Sequence, residues 1–489
     1  EQSMAELVEP RGGAKENAVQ PDTYRTRSRA SVTHGLERVR QVAKTRKKER
    51  FTALLHHVDI ALLRRSYFAL KRAAAAGVDG VTWQDYGENL EANLADLHGR
   101  VHRGGYRPKP SRRSYIAKAD GRQRPLGVAS LEDKIVQRAI VEVLNAIYEE
   151  DFLGFSYGFR PRRSQHDALD ALAAGITGAK VNWILDGDVR SFFDSVSHDW
   201  LVRFVEHRVG DKRVIRLIRK WLKAGVMEDG IVTPGEVGTP QGSVASPLLA
   251  NIYLHYVYDL WANQWRQRQA RGDMIIVRYA DDIVVGFQYR NDAMRFMADL
   301  RERLKSFALS LHPGKTRLIE FGRFAARDRK RRGLGKPESF MFLGFTHLCG
   351  QSRAGKFLLK RKSRRDRQAS KLREIKDELK RRTHRPIEEQ GAWLQSVVRG
   401  YFAYHAVPTN FRSLTSFLWK VRWLWLRTLR SRSQKDGTTW LRFDRRVARW
   451  LPKPEILHPW PQDRFAVKHP RWKPGAVIPH AGFCAGGAG

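Results

Sequence analysis

The sequence predicts an α+β protein of several domains, and three observations support this prediction. Apolar residues recur at helical spacing from Phe51 to about residue 103, strand and helix patterns mix as far as about Cys349, and helical spacing returns from Lys371. Helical regions on either side of a mixed region indicate that helices and sheet are segregated along the chain. The length of 489 residues also exceeds what one hydrophobic core usually organises.

The amino-terminal part divides into two segments of different character. Residues 1–50 begin as a mixture of Pro, Gly, Ser and charged residues without periodicity and end in the basic run KTRKKER, so we expect a disordered basic segment. Residues 51–110 include IALLRRSYFALKRAAAAG, whose apolar spacing predicts a helix that Gly77 ends as a C-cap.

Two strand-like stretches of the mixed region end in acidic residues. VRYADDIVVGF places Asp281 and Asp282 between two β-branched runs, which predicts a tight hairpin with both acids at its tip. In WILDGDVRSFFDSVSH an apolar strand runs into Asp186 and Asp188. Aspartates are common in surface turns, but carboxylates fixed by a strand and a hairpin also suit a phosphoryl-transfer site with two Mg²⁺ ions.

The stretch GTPQGSVASPLLANIYL, which begins at Gly238, lies between the two acidic motifs. Its Gly- and Pro-rich start predicts a backbone that can approach a ligand closely, and the apolar run predicts a helix that packs on the sheet. A plain loop before a core helix explains the same letters equally well when they are taken alone.

The carboxy-terminal part predicts a helical bundle followed by an irregular extension. The bundle residues that recur at helical spacing in its last helix are Phe417, Leu418, Val421, Trp425 and Leu429. The predicted helices span 371–382, 388–406 and 412–432. The apolar stripe on the last of these helices is typical of a bundle core. After Ser433 the chain is rich in Pro and Trp, so we expect an irregular, packed extension.

Composition favours a polyanionic partner. The formal net charge is +39 and the isoelectric point is near 10.6, which favours nucleic acid. A membrane-surface protein would need an amphipathic anchor or a long apolar span, and we find neither in the sequence. Two cysteines, Cys349 and Cys484, are too few for a disulfide framework or a Cys-rich zinc site, so we expect a reducing cytoplasm and no membrane partner.

Seven motifs, taken in order, resemble those of reverse transcriptases, and most closely those encoded by bacterial group II introns, which are also splicing maturases. The motifs are YIAKADGRQRPLGV, DFLGFSYGFRPRRSQHDAL, LDGDVRSFFD, GTPQGSVASPLLANIYL, VRYADDIVVGF, LHPGKTRLIEFG and FMFLGF. The resemblance implies a right-hand polymerase. Its parts would be a fingers extension over 51–110, fingers and palm over 111–349, a thumb (domain X) over 350–432 and a short DNA-binding-like extension over 433–489.

The resemblance also implies the catalytic residues. Asp188 and Asp281 would be the principal ligands of two Mg²⁺ ions, Asp282 a supporting carboxylate and the Val189 carbonyl an additional ligand. Asp186 shares a strand face with Asp188, but the family motif places the catalytic acid at the second position.

A pocket for the incoming deoxynucleoside triphosphate is implied as well. Lys118 and Arg124 would contact the triphosphate. Phe193 would lie beneath the sugar and exclude a 2′-hydroxyl, with Phe192 as the alternative or as a core residue. The remaining pocket residues that the resemblance implies are Gln241, Gly242 and Lys315. The last matches a lysine proposed to assist the pyrophosphate leaving group, although an ordinary turn lysine explains it equally well.

The stretch RAGKFLLKRKSRRDR joins the predicted palm to the predicted thumb and holds eight basic residues against one acid. Such a run is usually a solvated face, but here a template–primer duplex would pass, so we expect contacts with RNA phosphates. The expected RNA-binding residues are Lys360, Arg361, Lys362, Arg364 and Arg365. The partners that the family implies are group II intron RNA, bound largely by shape, a template–primer duplex and a DNA target.

Two departures from the family pattern matter. After Ser433 we find neither an H-N-H core nor Cys pairs, so the resemblance is to a member that lacks the endonuclease domain. At Arg162, RRS stands where the family usually has GRS or GRG, which puts a side chain at a glycine position.

Other functions remain open from the sequence. One alternative is a domesticated relative that reverse-transcribes in DNA repair or defence. Another is a nonenzymatic RNA-binding splicing factor with a vestigial polymerase. For the main interpretation, the expected place is the bacterial cytoplasm, at the nucleoid when the protein acts on DNA.

Overall fold

The computed structural model describes residues 35–117, 123–228, 230–233, 235, 237–239, 242–432 and 438–470. Its amino-terminal helices are α1 (35–45), α2 (Ile60–Phe68), α3 (Trp83–Glu88) and α4 (Leu90–His102). The strands are β1 (Ser111–Ala117), β2 (Gln123–Val128), β3 (Trp183–Asp188), β4 (Val226–Glu228), β5 (Ile231–Thr233), β6 (Met274–Tyr279), β7 (Asp282–Phe287), β8 (Arg317–Glu320), β9 (Phe340–Phe342), β10 (Phe345–Gln351) and β11 (Phe357–Ser363).

Fourteen further helices are described after α4. They are α5 (Leu131–Asp151), α6 (Gln165–Gly178), α7 (Phe192–Ser195), α8 (His198–Glu206), α9 (Lys212–Lys223), α10 (Ser246–Leu254), α11 (Leu260–Arg268), α12 (Arg290–Lys305), α13 (Ala325–Arg331), α14 (Arg365–Arg381), α15 (Ile387–His405), α16 (Phe411–Arg430), α17 (Trp440–Val447) and α18 (Pro461–Lys468). A π-helical turn at His255–Asp259 joins α10 to α11. No helix of the described residues is long and apolar enough to span a bilayer.

Two expectations for the amino-terminal part are wrong. The segment 1–50 is not wholly disordered, because α1 buries Leu36, Val39 and Ala43; residues 1–34 lie outside the described part. The predicted helix that reaches Gly77 stops at Phe68.

The segment that follows α2 is held by tertiary contacts instead. The Lys134 ammonium donates to the Ala75 carbonyl at 2.9 Å, and the Arg112 guanidinium donates to the Ala76 carbonyl. A Cβ on Gly77 would lie 2.6 Å from the Ser130 backbone. Distant side chains therefore hold residues 75–77 in place outside the helix, and the glycine serves close approach rather than capping.

The palm is an antiparallel four-stranded sheet in the order β6-β7-β3-β8. Ile184 and Leu185 of β3 are both fully buried although they point to opposite faces, so the sheet is covered on both sides. One face packs with α6 in a core that includes Leu172, and the other joins a larger core that includes Phe296 of α12. The fingers sheet has the order β2-β1-β4-β5, and the third sheet has the order β11-β10-β9.

The predicted helical bundle is confirmed as α14, α15 and α16. The predicted stripe on the last of these helices is buried throughout, and the Trp425 indole donates to Gln390 at 2.8 Å in the bundle core. Beyond the bundle, the expected irregular extension contains two short helices instead, α17 and α18.

Residues 457–470, called here the C-terminal strap, fold back onto α6. Phe465 enters the core beneath the palm sheet. The Arg464 guanidinium donates to Asp170 of α6 at 2.9 Å, and the Lys468 ammonium pairs with Asp167. The backbone N–H of Leu457 donates to the Ala406 carbonyl at 3.0 Å, so the strap also contacts the end of α15.

Candidate active site

The hairpin between β6 and β7 has a two-residue turn. Tyr279 pairs with Asp282, which leaves only Ala280 and Asp281 to connect the strands. Ala280 has φ of 55°, as the first position of a type II′ turn requires. The predicted hairpin is thus confirmed, with Asp281 at its tip and Asp282 at the start of β7.

Strand β3 brings the third carboxylate to this hairpin. Asp188 is the direct cross-strand partner of Asp282. On the other edge of β3, the N–H of His312 donates to the Asp188 carbonyl at 2.7 Å, and the N–H of Arg190 donates to the Ser310 carbonyl at 2.8 Å. These two bonds flank Val189, so its own carbonyl is directed to the hairpin side.

The charges of neighbouring carboxylates affect the protonation of Asp281 and Asp282. Loss of water contact, followed by repulsion from Asp281 and Asp188, raises the pKa of Asp282 to about 7. The Asp282 side chain keeps a solvent-exposed edge, so repulsion from the neighbouring acids contributes strongly to this rise. Burial and the Asp188 charge also raise the pKa of Asp281, and the Arg124 guanidinium of β2 acts in the opposite direction.

The donor chemistry fits a hard divalent cation. Carboxylate oxygens and a backbone carbonyl are the ligands that Mg²⁺ prefers, and a cation would offset the repulsion among the acids. The side chains are not drawn together as a cage, because no group of three or more His, Cys, Asp or Glu within the described residues converges closely enough to hold a metal. The Lys315 ammonium, 3.1 Å from Asp188, supplies positive charge at this position.

Asp186 is in a different environment from Asp188. It faces Arg317 of β8 at 3.6 Å, and burial raises its pKa to about 6 despite this arginine. Arg317 therefore pairs with Asp186, the carboxylate that the sequence analysis placed second to Asp188 as a metal ligand.

The predicted nucleotide residues that the structure describes lie on several different elements. Phe192 is 2% exposed and packs in the core near Tyr253, whereas Phe193 is half-buried. The N–H of Thr239 donates to the Phe193 carbonyl at 2.7 Å. Gly242 has φ of 107°, and a Cβ there would lie 2.7 Å from the Gly127 carbonyl of β2. Lys118 and Gln241 lie outside the described residues.

Sequence reasoning missed Arg278, which is completely buried in β6. Its guanidinium forms a two-pronged ion pair with Asp259 of the π-helical turn, at 2.7 and 2.6 Å. It also donates to Asn251 at 2.9 Å, to Ser156 at 2.7 Å and to the Ala280 carbonyl at 2.9 Å. All its donors are used, and one of them holds the turn that carries Asp281.

The same network anchors the second motif to the hairpin. Asn251 donates through its amide to the Gly158 carbonyl at 2.7 Å, and a Cβ on Gly158 would lie 2.2 Å from the Ala280 nitrogen. The hairpin tip is therefore packed against backbone on one side and hydrogen-bonded on the other. The signal that could have revealed it is a charged residue inside the β-branched run of VRYADDIVVGF, where only a paired charge is tolerated.

One expected RNA-binding residue is wrong. Arg361 is 1% exposed and faces Asp170 of α6 at 3.6 Å, so it cannot reach a nucleic acid phosphate. Alternation along β11 explains the error, because Lys360 and Lys362 point away from the face on which Arg361 is buried. Lys362 and Arg365 are exposed, and Arg364 is paired with Asp366 at 2.6 Å.

Comparison with known proteins is consistent with this site. Residues 116–347 match the family described as "Reverse transcriptase (RNA-dependent DNA polymerase)". Protein YkfC of Escherichia coli (strain K12) is 35% identical over 330 residues, which are 60% of this chain and 82% of YkfC.

Two further relatives carry intron functions in their names. Group II intron-encoded protein LtrA of Lactococcus lactis subsp. cremoris is 36% identical over 225 residues, 45% of this chain but only 37% of LtrA. Nuclear intron maturase 1, mitochondrial, of Arabidopsis thaliana is 29% identical over 92 residues, 19% of this chain and 13% of that protein. Taken with the acidic hairpin and its opposing strand, these matches show that the chain belongs to the reverse transcriptases of the group II intron type, which are RNA-directed DNA polymerases and maturases.

Proposed function

We propose that this chain copies intron RNA into complementary DNA with two Mg²⁺ ions, and that it binds group II intron RNA to assist splicing and mobility. The observation that carries the proposal is the pairing of Asp188 with Asp282 beside the tip residue Asp281. The substrates would be deoxynucleoside triphosphates, an RNA or DNA template–primer duplex and, for mobility, a DNA target. The expected place of action is the bacterial cytoplasm and its nucleoid.

The residues of the site divide the work of nucleotide addition. When bound, the metal ions would activate the primer 3′-hydroxyl and offset charge on the transferred phosphate. Asp188, Asp281 and the Val189 carbonyl are suited to hold them, and Asp282 adds negative charge nearby. The Arg124 guanidinium partly offsets the rise in the pKa of Asp281, which supports a role for this arginine in contacting the triphosphate.

Two residues would select and release the nucleotide. The half-buried ring of Phe193 would lie beneath the sugar, while Phe192 is committed to the core. The Lys315 ammonium, now paired with Asp188, would turn to the pyrophosphate as it leaves.

The thumb offers a surface suited to nucleic acid. Trp419 and Trp423 of α16 are 56% and 43% exposed and lie one turn apart. The Arg427 guanidinium stacks on Trp423 at 5.3 Å. Exposed aromatic rings among basic residues are typical of nucleic acid contacts, which supports binding of RNA by this domain.

The test is primer extension on a primed RNA template with Mg²⁺. Asp188→Asn and Asp281→Asn should each abolish extension, because the amide removes the charge that holds the metal while keeping the shape. The matched control is Asp186→Asn on the same strand, which should stay within about tenfold of the unmodified protein since its partner is Arg317. Loss of extension in the control together with normal extension by Asp188→Asn would refute the assignment.

A further inference from the structure

A cavity lies at the end of β3 that is remote from the catalytic acids. Its volume is about 290 Å³, and its lining includes Trp183, Arg290, Glu320, Arg332 and Glu338. Trp183 begins β3 and Asp188 ends it, so the two ends are separated by roughly 17 Å at the usual rise per strand residue. A ligand in this cavity is therefore not the nucleotide being added.

The groups that line the cavity are arranged by ion pairs. Glu320 is only 8% exposed and pairs with Arg332, and Arg329 lies 3.7 Å from the same carboxylate. The Arg290 guanidinium lies 5.6 Å from the centre of the Trp183 ring. The cavity thus offers an aromatic face, fixed guanidinium donors and the exposed acceptor Glu338. A flat heterocycle with donors and acceptors on its edge fits this combination.

A strongly basic segment borders the cavity. Residues 323–336, called here the basic ridge, contain seven Lys and Arg against one Asp, and they supply Arg329 and Arg332 to the cavity wall. Lys330, Arg331 and Lys336 are exposed and take part in no ion pair within the described part of the chain. Exposed cations without an acidic partner attract phosphates.

We propose that the cavity binds one unpaired base of a folded RNA whose phosphates lie along the basic ridge. The proposal rests on the proposed function, which makes RNA the partner. A pocket for an unpaired base favours folded RNA over duplex DNA as the ligand, because loops of folded RNA present such bases whereas an intact DNA duplex does not. The site adds a contact for structured RNA that is separate from the template path.

The ridge is tested by charge removal with a matched control. Lys330→Gln, Arg331→Gln and Lys336→Gln together should lower the slope of log affinity against log salt for a stem-loop RNA by roughly 2 to 3, since each phosphate contact contributes about 0.7–0.9. The control triple Arg268→Gln, Arg301→Gln and Lys305→Gln removes the same charge from exposed residues of α11 and α12. An equal drop in both triples would show a general charge effect and overturn the proposal.

The cavity is tested with two probes, a stem-loop RNA and a blunt RNA duplex with the same number of phosphates. Trp183→Leu should reduce the preference for the stem-loop by about tenfold, whereas Trp183→Phe should keep most of it because a ring remains. Arg290→Ala at the exposed start of α12 should act in the same direction if the Leu variant does not fold. Unchanged preference in Arg290→Ala and in a folded Trp183→Leu would overturn the base pocket.

Extension of a short primed template separates this inference from the proposed function. All these variants should extend it at the unmodified rate, because the cavity lies away from the acids. If the unmodified protein extends no primer, the proposed function is wrong, but RNA binding by the variants and their controls still tests the inference. If ridge or cavity variants lose extension, the site belongs to the catalytic path and the inference is wrong.

Discussion

Two buried arginines, Arg278 in the palm and Arg361 beside the C-terminal strap, show how equal burial can serve different ends. They are 0% and 1% exposed. Arg278 uses all its donors, whereas Nη1 and Nη2 of Arg361 have no hydrogen-bond partner within the described residues. Arg361 shares Asp170 with Arg464, and burial lowers its pKa to about 10. A saturated network fixes one geometry, but a shared and incomplete one is easier to open.

The largest effect is expected at the palm arginine. Arg278→Met leaves the buried Asp259 charge without its partner, which should cost about 5 kcal/mol of unfolding free energy. Urea unfolding measures the loss, and primer extension should vanish with it.

A double variant separates stability from activity at this site. Arg278→Met with Asp259→Leu removes both charges, so much of the stability should return. Extension should stay low, because nothing then holds the Ala280 carbonyl. Recovery of extension in the double variant would show that the arginine acts only through stability.

At the strap, Asp170→Asn should cost less, about 3 kcal/mol, because it removes the charge that Arg361 and Arg464 share but leaves the apolar contacts of Phe465. Native-state hydrogen exchange should show faster exchange in α18 with little change in β6 and β7. Equal acceleration in the palm hairpin would show that the two networks are not separate.

Acid should open the strap. Burial, assisted by the nearby His458, Arg464 and Arg361, lowers the pKa of His166 to about 3, and its ring lies 4.1 Å from that of His458. The unfolded chain therefore binds the proton first, so the stabilising effect of a neutral His166 is complete above pH 6.5 and falls as pH decreases toward 3. His166→Gln should reduce the stability lost between about pH 6.5 and 5 by roughly 2 kcal/mol.

Thermal unfolding across this pH range measures the effect. His98→Gln is the control. The pKa of His98 is also lowered, but this histidine is less buried than His166, so its replacement should change the pH dependence less. A pH dependence that is the same in His166→Gln and the unmodified protein would contradict the expectation.

The smallest effect concerns the loop that enters α6, on which the strap lies. Arg162 has φ of 60°, in the left-handed region that favours glycine. Arg162→Gly should stabilise the protein by about 0.5–1 kcal/mol, because the strain exceeds the entropy that glycine adds. Arg163→Gly is the control and should destabilise, since its guanidinium caps the Gly154 carbonyl. A rise in melting temperature for both variants would contradict the strain argument.

The parts of the fold that were predictable from sequence are those governed by local rules. The β-branched runs around Asp281 indicated the hairpin, and the stripe through Trp425 indicated the bundle, because each pattern is local to its own element. Tertiary partners decided the rest. The path of the chain before Gly77 depends on Lys134, and the burial of Arg361 depends on Asp170, neither of which is near in sequence.

The active-site residues divide in the same way. The acids could be found because their spacing resembles a family motif, but Arg278 could not be assigned a role until Asp259 was seen to face it. A lone arginine in a strand pattern gives no indication of which distant carboxylate neutralises it.

The strap has a consequence for the order in which the chain folds during synthesis. Asp170 leaves the ribosome 294 residues before Arg464, its partner in the finished protein. Throughout that interval α6 lacks the Arg464 ion pair and the cover that Phe465 gives to its core. Closing so long a loop is late and slow, so the nascent palm should remain accessible to chaperones until the strap has left the ribosome. A message truncated before residue 457 would then yield a protein whose catalytic hairpin is intact but whose α6 lacks the contacts of Phe465 and Arg464.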